Sequence, residues 1–172
     1  FGFDALRNNM SATHIGLLTS LKDPRVFVIA EPGTYYTDTL GLSRTDFNAY
    51  VGAPFDEGLD AMSSKAQGGV YALIGRARYY GGYTAEPGVQ IGYAEMCLNI
   101  AEGINRRWNT AGDAETWYKK GITASMNFFG INDAASIADY LAQPLVAYKG
   151  NSPEGLKQIL EQRYLALFQQ AG

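Results

Sequence analysis

The chain has 172 residues, of which 47% are hydrophobic and 18% are charged, a length and composition that suit one folded domain with a core rather than a disordered polypeptide. A formal net charge of −3 argues against nucleic-acid binding, which depends on clustered lysine and arginine side chains. The single cysteine excludes an intrachain disulfide, and no apolar run reaches the roughly 18 to 20 residues that span a bilayer.

The chain starts at Phe1 without a methionine or a signal-like segment. We therefore expect a piece of a longer precursor, with any export signal or lipid anchor preceding residue 1. The first predicted element is a helix from Ser11 to Leu21, which ends at Asp23-Pro24 because a residue before proline avoids helical backbone angles. The run Arg25–Ala30 predicts a β-prone or extended stretch, and turn residues follow it.

Residues 34–88 are rich in glycine and tyrosine, with nine glycines and little sustained periodicity. Glycine at this density indicates turns and close backbone approaches instead of long regular elements. We predict that residues 1–88 form a short helix followed by an irregular region, which the many tyrosines keep ordered.

From residue 89 onward the sequence predicts four helices. The first runs from Val89 to Arg107, and helical spacing predicts a buried stripe of six residues: Tyr93, Met96, Cys97, Ile100, Ala101 and Ile104. The second runs from Asp113 to Gly130, and its stripe has four members: Tyr118, Ile122, Met126 and Phe129. Gly121 and Ser125 lie beside the second stripe and would let a neighbouring helix approach closely.

Asn132 can cap a third helix that stops before Pro144, and Ser152-Pro153 is a start signal for the fourth. The fourth stripe has five apolar members: Leu156, Ile159, Leu160, Tyr164 and Leu167. Two long helices joined by a few polar residues form an antiparallel hairpin, and their period is close to the roughly 34 residues of a tetratricopeptide repeat. The predicted fold is mainly α, with tetratricopeptide-like hairpins in residues 89–172 and little β structure.

Residues that could support catalysis are few. His14 is the only histidine, and its helical spacing from Leu18 favours a partly buried, hydrogen-bonding role over that of a general base. One histidine and one distant cysteine, Cys97, match no metal-ligand spacing, and Cys97 is predicted to be a small buried hydrophobe. Asp56, Glu57 and Asp60 could supply the paired carboxylates of a glycosidase, but a solvated acidic loop is the favoured interpretation.

Five stretches resemble motifs of a known family. Residues 20–26 (SLKDPRV) are similar to its "DPR" segment, and residues 50–54 (YVGAP) to its "YxGxP" turn. Residues 93–103 resemble its "YAE…AEA" helix, residues 117–130 its "YxxGIxASMxxxG" helix, and residues 159–168 its "IxxQKWxAL" helix. Gly103 stands where alanine is usual, and Arg163-Tyr164 where Lys-Trp is usual.

The order and spacing of these motifs, over roughly residues 11–170, resemble the SusD/RagB-type lipoproteins of the Bacteroidetes outer membrane, in the SusD-like branch with a tetratricopeptide core. The resemblance implies a lipid-anchored protein on the extracellular face of the outer membrane. It also implies that this protein covers a SusC-like TonB-dependent transporter and binds oligosaccharides without hydrolysing them. It implies no cofactor and no metal.

Aromatic side chains are the candidate ligand contacts, because sugar rings stack their apolar faces on tyrosine and tryptophan. The candidates are Tyr79, Tyr80 and Tyr83 with Arg78 in one glycine-flanked loop, Tyr35 and Tyr36 in another, and Trp117 beside the hairpin connector. Neighbours in an extended loop point to opposite sides, so we expect at least one tyrosine of each pair to be exposed.

Two other functions stay open at this point. A tetratricopeptide scaffold could hold a segment of a partner protein in its concave groove. A glycosidase that uses Asp56 is the third hypothesis.

Overall fold

The structure, a computed structural model, describes residues 8–82, 84, 86–108 and 111–170. The chain folds as two units, one that ends at Pro87 and one that begins at Gly88, and each has buried apolar side chains of its own. Helices dominate both units, and the only sheet among the described residues has two short strands, so the predicted mainly α class is confirmed.

The first unit begins with helix α1, Ala12–Ser20, close to the predicted bounds. The Ser11 hydroxyl accepts a hydrogen bond from the Thr13 N–H and caps the helix. His14, Ile15 and Leu18 lie on its buried face. His14 was predicted to be partly buried, and at 4% exposure it is more deeply buried than that.

The extended stretch predicted for Arg25–Ala30 is wrong for most of its length. Val26–Ile29 forms a single helical turn, α2, and only Ala30–Glu31 forms a strand, β1. This strand pairs antiparallel with β2, Leu73–Ile74. The Asp23 carboxylate accepts the Arg25 N–H at 3.0 Å, and such a side-chain bond to the backbone favours a helical turn over the strand propensity of the β-branched residues.

Between the strands the chain is irregular but contains three short helical elements. They are a π-helix at Tyr35–Thr39, a 3-10 helix at Phe47–Ala49 and helix α3, Leu59–Gln67; after β2, Arg76–Tyr79 forms α4. Helix α3 was not predicted, and none of its residues is fully buried. Only Met62 and Ala66 are partly buried, so the helix lacks the continuous apolar stripe that periodicity detects.

An ion pair at the centre of the first unit joins Asp23 to Arg25. Both side chains are fully buried, and the Arg25 Nη2 and Asp23 Oδ2 atoms are 2.5 Å apart. The Arg25 Nε atom donates to both carboxylate oxygens, at 2.9 and 3.1 Å. The two charged members of the DPR motif therefore compensate each other inside the core.

The second unit has four helices, as predicted: α5 at Tyr93–Asn105, α6 at Ala114–Phe128, α7 at Ala134–Ala142 and α8 at Pro153–Ala166. Side-chain caps begin three of them, with Asp113 before α6, Asp133 before α7 and Ser152 before α8. The cap of α7 is thus one residue later than the predicted Asn132.

Helices α5 and α6 form the predicted antiparallel hairpin, and α8 packs on both. The two helices approach each other closely at Gly121, where a Cβ atom would lie 2.6 Å from the Leu98 Cγ atom and 3.2 Å from the Ala94 carbonyl oxygen. The predicted α6 stripe, Tyr118, Ile122, Met126 and Phe129, is buried. Both predictions for α6 are therefore confirmed.

The predicted stripes of α5 and α8 are partly wrong. Tyr93 and Met96 are exposed and Leu98 is fully buried, while on α8 Tyr164 is exposed. The buried faces of these helices include polar residues, which the periodicity of apolar residues could not reveal: Glu102 and Asn105 on α5, and Gln158 and Gln162 on α8. Cys97 is buried, as predicted.

These polar residues are buried because each has a partner. The Asn105 amide donates to the Tyr148 hydroxyl at 2.7 Å, and the Gln162 amide donates to the Tyr140 hydroxyl at 2.8 Å. The Gln158 amide nitrogen donates to two carbonyl oxygens of the segment before α8, and its amide oxygen accepts the Lys149 N–H. Together these bonds fix residues 143–152 against the helices.

We expect Arg25→Ala to destabilise the chain by about 3–5 kcal/mol, because it leaves the Asp23 carboxylate buried without its partner. Arg76→Ala is the matched control, since about half of the Arg76 side chain is exposed in its ion pair with Glu31 and exposed pairs contribute up to about 1 kcal/mol. Urea unfolding followed by far-UV circular dichroism measures both. Equal losses in the two variants would contradict this account of the core.

Gly121→Ala should lower the free energy of unfolding by about 1–3 kcal/mol, because the added methyl group overpacks the contact with Leu98. Gly103→Ala is the control within α5, where a Cβ atom meets nothing within 4 Å. That variant should be stabilised by up to about 1 kcal/mol through the higher helix propensity of alanine. Thermal unfolding of both proteins tests the opposite signs; a shift of the same sign in both would reject the close approach.

Because His14 is buried, we expect the folded chain to lose stability on acidification. Burial lowers its pKa from the ordinary 6.5 to about 4, and the positive charge of Arg25 adds to this effect against the opposing charge of Asp23. As the pH falls from 6.5 to 4 the unfolded chain takes up the proton first, so about 3 kcal/mol of stability is lost in that window. Unfolding measured across these pH values should show a shallower slope in His14→Gln; an unchanged slope would refute the assignment.

Candidate ligand-binding surface

The first unit carries two of the predicted tyrosine groups on segments that flank the small sheet. Tyr35 and Tyr36 follow β1, and the Tyr35 N–H donates to the Gly69 carbonyl oxygen at 3.0 Å. Tyr79 and Tyr80 close α4, which follows β2. Because β1 and β2 are antiparallel, the two segments leave the sheet at opposite ends.

Tyr35 and Tyr36 lie at the start of the π-helix, not in an extended loop. The expectation that they point to opposite sides is therefore wrong. Their rings pack edge to face, with centroids 5.4 Å apart and an interplanar angle of 82°. Tyr35 is 41% exposed, whereas Tyr36 is half-buried against the backbone of Gly33. The pair thus presents one supported, accessible phenol ring.

The second group, Tyr79 and Tyr80 with Arg78, is more enclosed than the Tyr35 and Tyr36 pair. The guanidinium of Arg78 pairs with the Glu86 carboxylate at 2.7 Å, and both side chains are largely buried. The hydroxyl group of Tyr79 is buried, and this burial raises the pKa of Tyr79 far above its ordinary value. The Tyr80 hydroxyl accepts a hydrogen bond from the Asn8 amide at 2.8 Å. Tyr83 lies outside the described residues.

A charged pair that no sequence pattern predicts, Glu31 and Arg76, lies in the same unit. Glu31, at the end of β1, accepts hydrogen bonds from the backbone and the side chain of Arg76, with a shortest distance of 2.8 Å. Partial burial alone would raise the pKa of Glu31, but these bonds and the charges of Arg76 and Arg44 hold that pKa below its usual range. The two partners are 45 residues apart, so no local pattern could predict the pair.

The acidic group suggested for glycoside hydrolysis has a different role. Glu57 accepts hydrogen bonds from the Lys65 ammonium and the Tyr71 hydroxyl, and these bonds lower its pKa. A general acid in glycoside hydrolysis needs the opposite shift, a raised pKa. The arrangement supports the structural interpretation of this carboxylate over the catalytic one.

Trp117, the predicted contact in the second unit, is half-buried in the first turns of α6. The Lys120 Nζ atom lies 4.7 Å from its ring centroid, within the range of a cation–π contact. Trp108, on the other side of the hairpin connector, is 75% exposed, and the Arg106 guanidinium lies 5.1 Å from its ring. Each tryptophan therefore stands beside a cation.

Among the described residues, no group of three or more histidine, cysteine, aspartate or glutamate side chains is placed to hold a metal ion. None of the helices in that part of the chain has both the length and the apolar character needed to cross a membrane.

Comparisons with known proteins agree with this fold. Residues 3–171 match a SusD-like family model described as "Starch-binding associating with outer membrane". No match was found among curated proteins. Three solved structures are similar at 30% sequence identity. One is a candidate outer membrane protein of Bacteroides vulgatus linked to nutrient binding, with a TM-score of 0.83 over 94% of this chain.

The other two are SusD homologues of Bacteroides fragilis. Their TM-scores are 0.84 and 0.79, over 95% and 92% of this chain. The chain spans only 36–37% of the length of each of the three relatives. The family match extends over nearly the whole chain, and it confirms the resemblance drawn from the motifs. The chain belongs to the SusD-like family of starch-binding proteins that associate with the outer membrane.

Proposed function

We propose that this chain is part of a non-catalytic protein that binds oligosaccharides on the extracellular face of the bacterial outer membrane. In this proposal an N-terminal lipid holds the protein at the membrane, and a SusC-like TonB-dependent transporter takes up the bound sugar. The family match over residues 3–171 is the observation that carries the proposal. The link of the Bacteroides vulgatus relative to nutrient binding is consistent with it.

Tyr35 is the best-supported ligand contact in the described residues. Its ring is exposed and is held from behind by Tyr36, so little side-chain freedom is lost when a sugar ring stacks on it. The other described candidates have more enclosed positions, and we assign them secondary roles: Arg78, Tyr79, Tyr80 and Trp117. Tyr83 remains a candidate contact from the sequence alone.

The charges of the first unit suit sugar hydroxyl groups. Arg76 keeps about half of its side chain accessible while Glu31 fixes the guanidinium. A fixed guanidinium–carboxylate pair offers both donors and acceptors, which is what a hydroxyl group needs. We therefore add Arg76 and Glu31 to the candidate contacts.

The absence of catalysis is part of the proposal. Glycoside hydrolysis needs one carboxyl group with a raised pKa beside a second carboxylate. Glu31, Glu57 and Glu102, which have basic partners, have lowered pKa values instead. This pattern favours binding over hydrolysis.

We expect Tyr35→Ala to weaken oligosaccharide binding about 3- to 10-fold, since one aromatic stacking contact contributes roughly 0.5–1.5 kcal/mol. Isothermal titration against a panel of plant and host oligosaccharides measures the change. Tyr164→Ala is the control, because Tyr164 is about as exposed as Tyr35 but lies on α8 in the second unit.

Equal weakening by the two substitutions would reject the site at Tyr35. If no oligosaccharide in the panel binds the unsubstituted chain, the binding function itself is rejected. Release of reducing sugar that Asp56→Asn abolishes would instead establish a glycosidase.

A further inference from the structure

An exposed tryptophan stands just after the end of α5, in the second unit. The Trp108 side chain is 75% exposed, although the helix ends only three residues earlier, at Asn105. The Arg106 guanidinium lies 5.1 Å from the centroid of the Trp108 ring, within the range of a cation–π contact. The accessible part of the ring can receive a flat, partly apolar group such as a sugar ring.

Backbone hydrogen bonds hold Trp108 in place. Its N–H donates to the Gly103 carbonyl oxygen at 2.9 Å, and the Arg107 N–H donates to the Ile104 carbonyl oxygen at 3.0 Å. This pair of bonds is the Schellman motif that ends many helices, and Arg107 occupies its left-handed position with a φ of 60°. The tryptophan is therefore presented from an ordered backbone, so less conformational entropy is lost when a ligand binds.

Arginine is an unfavourable residue at this left-handed position. Glycine is usual there, because a residue with a Cβ atom is strained at positive φ. A cation near a helix C-terminus is favourable, which accounts for Arg106 but does not require a second arginine where the backbone is strained. Strain of this kind is concentrated where the side chain has a further use. Arg107 is exposed and adjoins Trp108 in the chain, so a ligand with an anionic group would supply that use.

Fixed charges continue from the tryptophan onto α8. The Glu102 carboxylate accepts a hydrogen bond from Arg106 Nε at 2.6 Å and, on its other oxygen, one from Arg163 Nη1 at 2.5 Å. The same Nη1 atom donates to the Asn99 amide oxygen at 2.7 Å. In the described part of the chain these bonds use one nitrogen atom of each guanidinium, and both arginine side chains are about one third exposed. The remaining N–H groups can donate to a ligand.

The charges of this cluster do not balance. Its three guanidinium groups, those of Arg106, Arg107 and Arg163, accompany the single carboxylate of Glu102. An apolar protein surface laid over the cluster would bury uncompensated positive charge, which is costly. A hydrated ligand that combines a ring with an anionic group would instead use both the aromatic surface and the excess charge.

We propose that Trp108 and the neighbouring arginines form a second saccharide site, which takes acidic sugars. The sugar ring stacks on Trp108, and its carboxylate accepts hydrogen bonds from Arg106 and Arg107, while Glu102 holds the Arg106 guanidinium in position. This inference rests on the proposed function as an oligosaccharide-binding protein, and it adds a class of ligand. The site is separate from the contact at Tyr35, which belongs to the first unit.

The test uses the 172-residue chain and matched pairs of trisaccharides. The acidic members are trimers of galacturonate, glucuronate and mannuronate, and each has a neutral counterpart whose carboxyl groups are reduced to hydroxymethyl groups. Isothermal titration measures the affinity for each. We expect at least one acidic trimer to bind saturably and about 10-fold more tightly than its neutral counterpart, because hydrogen bonds to a charged group are stronger. This affinity should fall as salt is raised.

Trp108→Ala should weaken binding of the acidic trimer about 3- to 10-fold, through the loss of one stacking contact. Ile91→Ala is the matched control, because Ile91 is 85% exposed but precedes the opposite end of α5. Arg107→Gly should produce two opposite effects. Binding should weaken at least about 3-fold, while relief of the backbone strain raises the Tm by about 2–4 °C. Lys157→Gln, which removes an exposed cation of α8, should leave the affinity unchanged.

Equal affinity for each acidic trimer and its neutral counterpart, or no binding of any acidic trimer, would overturn the proposal. Equal losses in Trp108→Ala and Ile91→Ala, or unchanged affinity in Arg107→Gly, would also overturn it. Loss of acidic-trimer binding in Tyr35→Ala but not in Trp108→Ala would assign the acidic sugar to the first unit instead. Neutral oligosaccharides should still bind the Trp108→Ala chain, so failure of this proposal is distinguishable from failure of the proposed function.

Discussion

Helices α5 and α6 are in contact at Gly121, where the side chain of Leu98 occupies the space that a Cβ atom would take. This close approach fixes how the two helices of the hairpin face each other. The opposite face of α5 and the buried face of α6 are then available to α8, which packs on both. The absence of a side chain at Gly121 therefore allows the contact between α5 and α6 on which the packing of α8 builds.

The sequence predicted the buried face of α6 more fully than the buried faces of α5 and α8. The buried face of α6 holds an uninterrupted apolar stripe, so spacing alone identified it. The buried faces of α5 and α8 include Asn105, Gln158 and Gln162, whose partners lie 9–47 residues away. A hydropathy pattern scores such residues as exposed, because it has no information about distant partners. The existence of α5 and α8 was therefore predicted correctly, but part of the face that each helix buries was not.

In the first unit, a local hydrogen bond outweighed the strand propensity of the residues that follow it. The β-branched run after Pro24 suggested a strand, but the Asp23 carboxylate captures the Arg25 N–H and starts a helical turn. Tyr35 could be proposed from residue type and glycine context, because an exposed aromatic in a glycine-rich segment is a known kind of ligand contact. The pairing of Glu31 with Arg76 could not be proposed from the sequence, since only the folded sheet brings these two residues together.

The two tryptophans of the chain flank the α5–α6 connector, and the first unit has none. Tryptophan emission therefore comes from the second unit alone, whereas far-UV circular dichroism reports on the helices of both. If the two signals change at the same denaturant concentration, the units unfold as one cooperative body; if they separate, each unit has its own stability. The placement of these two rings makes the energetic independence of the units a measurable quantity without any label.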